Sequence, residues 1–190
     1  MDALELLYDY FEDGGRASAL IRQRRPLALG LLGALAGGAS VFVADALGGR
    51  IHVFSFSAPS LVLTLLWQAA ALFALTAALH LSLDMTGARG DAGALFVHLG
   101  LSELSWLAAA PATLILQALF PQSVWPVRLA FALVWLWSLA LKARGLRGEY
   151  GVGAARAWLT LGLPYATFAA LIGASAALAI AALAVKAFSA

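Results

Sequence analysis

The chain has 190 residues, enough for one domain. Apolar residues make up 63% and charged residues 12%, against about 25% charged in an average soluble chain, and a water-soluble fold of this size could not hide that much apolar surface. A net charge of +2 without a basic stripe interleaved with aromatics excludes a nucleic-acid partner, and the absence of cysteine excludes disulfides, thiolate catalysis and cysteine metal sites.

Residues 1–25 read as a cytoplasmic or interfacial segment. An acidic stretch, Asp2 to Asp13, stands where a cleavable signal would carry positive charge. Leu4, Leu7, Tyr8 and Phe11 share one helical face, and Asp2, Glu5, Asp9 and Glu12 share the other. Gly14-Gly15 is expected to break this helix. A second short helix then places Ala17, Leu20 and Ile21 beside Arg16, Arg22, Arg24 and Arg25, a basic face suited to anionic lipid. The acidic helix is expected to fold back on its own protein, or else to dock a partner, rather than lie on lipid.

Residues 26–186 read as an all-α bundle of five transmembrane helices, since a span needs about 20 apolar residues. Charge-free stretches place them at 26–44, at 51–83 with Pro59 in the first turn, and from Ala92 to Phe120 interrupted by Glu103. The fourth is short, with Arg128 and Lys142 reaching for the membrane surface at its two ends. The fifth is 157–185. An odd count with the N-terminus in the cytoplasm puts the C-terminus outside. It places Arg16, Arg22, Arg24, Arg25, Arg89, Lys142, Arg144, Arg147 and Arg156 inside, against Arg50, Arg128 and Lys186 outside. Nine against three obeys the positive-inside rule. Gly33 with Gly37, and Gly173 with Ala177, have the spacing that lets helices approach closely, and contact within one monomer is the simplest use of both. Pro111 and Pro164 fall inside spans and are expected to kink them.

Two segments resemble the Yip family of Ypt-interacting membrane proteins. The first is His80–Asp91, where His-Leu ends the second span and Gly87, Ala88, Arg89 and Gly90 fill a glycine turn, with alanine replacing the family's second glycine. The second is Trp135–Ala157, a tryptophan-bearing helix followed by a Gly-Leu and Tyr-Gly loop and a basic-Ala start to the fifth span. The resemblance covers roughly residues 26–186 and implies five spans in the same orientation. It also implies a non-enzymatic role in membrane organisation or trafficking through assembly with itself or other membrane proteins. The family's Rab-type GTPase partner is doubtful here, because only residues 1–25 precede the spans. The short bacterial branch is the better likeness, which implies the plasma membrane; a eukaryotic host would imply the secretory pathway.

Glu103 is the residue that chemistry singles out. It lies about 17 Å along the third span, near the middle of a hydrocarbon core about 30 Å thick. A carboxyl there must be neutral or paired, and it is a functional candidate by default. His98, Ser102, Ser105, Ala109 and Thr113 form a small, polar stripe that must face protein or water, and His80 lies at a depth similar to His98. Glu103, His98, His80, Ser102 and Ser105 are therefore the candidate polar site. They act either as interhelical hydrogen-bond glue or as the site of a small transporter or channel. No enzyme motif, cofactor loop or metal-ligand spacing accompanies them.

Overall fold

A computed structural model describes residues 3–48 and 56–188; Asp2, Arg50 and positions 51–55 lie outside them. Among the described residues the chain is all helical, with no strand. Five helical segments are long and apolar enough to cross a membrane, so this is a multi-pass integral membrane protein. In chain order the elements are α1 (Ala3–Glu12), α2 (Gly14–Arg24), α3 (Leu27–Leu47), α4 (Ala58–Met85), α5 (Ala92–Ser102), a 3-10 segment (Glu103–Ala108), α6 (Ala109–Leu119), α7 (Trp125–Tyr150) and α8 (Ala154–Phe188). The third span is α5, the 3-10 segment and α6 taken together.

Local chemistry sets the helix ends. Asp13 accepts from the amides of Gly15 and Arg16 and opens α2, so the break falls at Asp13, and Gly14-Gly15 begin the next helix. Ser57 caps α4, with Pro59 in its first turn where a missing N–H costs nothing. Asp91 caps α5 by accepting from Ala94 N–H at 2.8 Å. Gly151 ends α7 at φ 63°, a conformation only glycine adopts freely.

The bundle is built around α3, and glycine is the reason. A Cβ on Gly30 would lie 2.8 Å from Val97 Cα, and one on Gly33 would lie 2.7 Å from the Gly100 carbonyl oxygen. Gly37 sits against the Glu103 carbonyl, and Gly100 against the Gly30 backbone. The α3 backbone therefore rides directly on that of α5. Lipid is as apolar as leucine, so close van der Waals contact of this kind drives association. The Gly33–Gly37 pair is used inside the chain, as the simplest reading expected.

The other pair departs from that reading. A Cβ added to Gly173 would meet nothing within 4 Å. From Tyr165 to Ala182 every residue of α8 is exposed. Only the first turns of α8 reach the core, where Ala157 and Leu161 are buried. Beyond them α8 diverges from its neighbours α4 and α7.

The N-terminal segment folds back on its own protein as expected, but with the opposite face inward. Leu4 and Tyr8 are well exposed, whereas Leu6, Asp9 and Tyr10 are buried. Polar groups on the inward face find partners there. Asp9 pairs with Arg16 at 3.2 Å, and the Tyr10 hydroxyl donates to the His98 carbonyl at 2.9 Å. Burial pushes the Tyr10 hydroxyl well above its usual range, against the opposing pull of Arg144, so it remains a neutral donor. Arg144 donates to the carbonyls of Tyr10 and Phe11 and caps the end of α1.

Candidate functional site

The third span loses its regular hydrogen bonding at Glu103, where the 3-10 turn begins. Pro111 contributes to the break: it has no N–H for the carbonyl of Leu107, four residues back. Ser40 on α3 supplies the missing partner. Its hydroxyl donates to Leu107 O at 3.3 Å and accepts from Ala110 N–H at 3.4 Å. A polar side chain from the neighbouring helix thus makes the irregular backbone tolerable at membrane depth.

The distortion presents Glu103 to α7, where Lys142 meets it. Lys142 Nζ lies 2.6 Å from Glu103 Oε1 and donates to Ser138 Oγ, also at 2.6 Å. The side chains of both partners are largely withdrawn from solvent, 5% exposed for Lys142 and 13% for Glu103. The carboxylate is paired, one of the two states its position allowed. This corrects the reading of Lys142 as a surface-reaching end of the fourth span. That span instead runs the full Trp125–Tyr150, and Lys142 points inward because the Glu103 carboxylate at the start of the 3-10 segment awaits it. Removing Lys142 from the inside set leaves eight basic residues against three, so the charge asymmetry survives.

The pair lies on the wall of a cavity of about 540 Å³ between α3, α4, the 3-10 segment, α7 and α8. Gly37 and Gly38 leave room for it, and Gln68 from α4 leans toward Gly38 across the missing side chain. Thr64, Gln68 and Asp45 supply polar groups toward the far end of α3, while Trp106, Phe131, Trp135 and Tyr165 supply aromatic walls. Asp45 stands two residues from the end of α3 and Glu103 midway along its span, so the acids line the cavity at different depths.

The histidines do not join this site. His80 Nδ1 lies 2.6 Å from the Tyr150 hydroxyl. His98 is buried beneath Tyr10, and Gly145 admits it: a Cβ there would lie 2.8 Å from His98 Cβ. Neither His98 ring nitrogen meets a hydrogen-bonding group among the described residues. Among the described residues, no three acids or histidines converge on a point where a metal could bind. The polar stripe does face protein, since His98, Ser102, Ser105, Ala109 and Thr113 are all buried. Its hydroxyls are not glue between helices. Ser102 donates to Leu99 O, Ser105 to Ser102 O and Thr113 to Ala109 O, all within their own span. Sequence reasoning missed Ser40 and Lys142 as partners. A lysine only 14 residues from Arg128 on an apolar helix was the available signal.

A second junction lies on the N-terminal side. There the two segments that resemble the Yip family dock on each other. His80 meets Tyr150, and Gly90 lies under the Tyr150 ring, where a Cβ would approach to 2.6 Å. Asp91 N–H donates to Glu149 Oε1 at 2.9 Å, and Arg156 donates to Thr86 O at 2.9 Å. Gly87 turns the chain at φ 78°. Arg89 is exposed at the tip of the turn. No family model, curated protein or solved structure matches the chain.

Proposed function

We propose that the protein is a small, non-enzymatic membrane carrier or channel that binds a polar solute beside the Glu103–Lys142 pair. The observation that supports it is one cavity lined by the Glu103–Lys142 pair at mid-span and by Asp45 near the end of α3. Ionisable groups inside a membrane are expensive and mark substrate or proton paths. A solute path needs several such groups in sequence, which a purely structural ion pair does not. A small zwitterion matches the site charge for charge, its carboxylate facing Lys142 and its ammonium facing Glu103. The test is uptake by proteoliposomes of labelled zwitterionic solutes, alongside a proton-flux dye. Glu103→Gln should lower the flux. Transport equal to that of empty liposomes across the panel would remove this reading.

The exposed distal half of α8 favours a second reading, assembly with another copy or with other membrane proteins to organise the membrane. This is the role that the Yip resemblance implies. It predicts an oligomer or a stoichiometric partner in mild detergent, with membrane lipid as the remaining company of the bundle. A strictly monomeric protein without partners would count against it.

A further inference from the structure

Where α7 ends, three arginines converge on a second cavity of about 580 Å³, separate from the intramembrane one. Its wall is Arg22 from α2 and Arg144 and Arg147 from α7, with the backbone of Gly14, Gly15 and Gly148. No carboxylate lines it among the described residues. The α7 helix is about 39 Å long at 1.5 Å per residue and exceeds a hydrocarbon core of about 30 Å. Its last turns, with Arg144 and Arg147, therefore stand at headgroup level.

The three cations differ in their ties. Arg22 pairs with Glu149 at 3.3 Å and donates to the carbonyls of Gly148 and Glu149, so its charge is compensated and its position fixed. Arg144 is held by the carbonyls of Tyr10 and Phe11 and by the face of the Tyr10 ring, with no acid paired to it among the described residues. Arg147 lies one turn on, exposed. Asp13 caps α2, and its carboxylate is engaged by the amides of Gly15 and Arg16. Glycine at 14 and 148 is what brings the helices close enough to share the cavity: a Cβ on Gly14 would lie 3.0 Å from Arg144 Nε, and one on Gly148 2.6 Å from Ser18 Oγ.

We infer that this cavity is a phosphate-binding site, taking the oxyanion of either an anionic lipid headgroup or a free phosphate. Planar guanidinium forks match phosphate oxygens and keep their charge at every physiological pH. Two uncompensated guanidiniums, one of them pre-positioned by α1, meet one phosphate without breaking any contact that holds the fold. The site stands apart from the proposed transport cavity and does not depend on it.

The test uses the full-length protein in phosphatidylcholine nanodiscs. One arm adds phosphatidic acid and measures lipid retained by native mass spectrometry. The other titrates inorganic phosphate and reads thermal stability. Arg147→Gln leaves the fold intact, because Arg147 holds nothing in place, and Arg24→Gln controls for general surface charge on the same face. Retention of phosphatidic acid at least tenfold weaker in Arg147→Gln than in Arg24→Gln assigns the site to a lipid headgroup. A phosphate-dependent rise in melting temperature, lost in Arg147→Gln alone, assigns it to a soluble phosphate. Equal losses in the two variants, or no response in either arm, would overturn the proposal.

Discussion

The α3 and α8 helices are written in nearly the same residues and end in opposite circumstances. Both are rich in alanine and leucine, and both carry a small-residue pair four apart, Gly33–Gly37 and Gly173–Ala177. In α3 the pair is buried against the backbone of α5 and the 3-10 turn; in α8 a Cβ on Gly173 would meet nothing within 4 Å among the described residues, and Ala177 is exposed. A small-residue motif thus states that a helix can be approached closely. Whether anything approaches is decided by where the rest of the chain lies.

The largest effect that would break this comparison comes from filling the α3 seam. Gly33→Leu drives a side chain into the Gly100 carbonyl, and backbone cannot yield as a flexible side chain does. The expected loss exceeds about 3 kcal/mol, enough to abolish the folded bundle in a detergent melt. If Gly33→Leu melted like the parent, the backbone-to-backbone seam would be wrong.

Next in size is the ion pair that closes the same seam toward α7. Lys142→Met strands Glu103 without its counter-charge, and removing one partner of a buried pair costs about 3–5 kcal/mol. Adding Glu103→Gln should recover most of that loss, because an uncompensated charge is worse than none. A double-mutant cycle read by thermal unfolding checks it, and additive losses would mean that the two residues are not coupled.

A smaller effect belongs to Ser40. Ser40→Ala leaves the Leu107 carbonyl without its donor and should cost about 1 kcal/mol. The same change should cost less in a Pro111→Ala background, where residue 111 regains an N–H for that carbonyl. An equal cost in both backgrounds would detach Ser40 from the proline.

The smallest effect on folding is expected at α8. Gly173→Leu meets open space and should alter monomer stability by less than about 0.5 kcal/mol. Light scattering on the same sample sharpens the comparison. A dissociated oligomer would place the partner of this face on another chain, and an unchanged mass would leave the face to lipid.

These contrasts mark how far the residues could be read in order. The five spans were legible from charge-free length, and so was the protein-facing polar stripe, because hydrocarbon penalises any other placement. Glu103 was legible for the same reason. Its partner was not: Lys142 counts equally well as a surface-reaching helix end until α7 is seen beside α5. His98 and His80 were grouped with Glu103 by depth alone, and depth does not fix the direction in which a side chain points. The face that α1 buries was not legible, because it is set by the partners that Asp9 and Tyr10 find on other segments.

By itself the sequence determined that this chain carries five segments long and apolar enough to cross a membrane, and which acid interrupts the third of them. Those properties follow from the cost of transferring each residue into hydrocarbon, a sum over single residues that needs no neighbours. Only the tertiary structure decided that Glu103 meets Lys142 beside a cavity, that Ser40 repairs the break at Pro111, and that Arg22, Arg144 and Arg147 share one hollow. Those are pairings between residues distant in the chain, and their geometry exists only once the α3 glycines have let the helices close on one another.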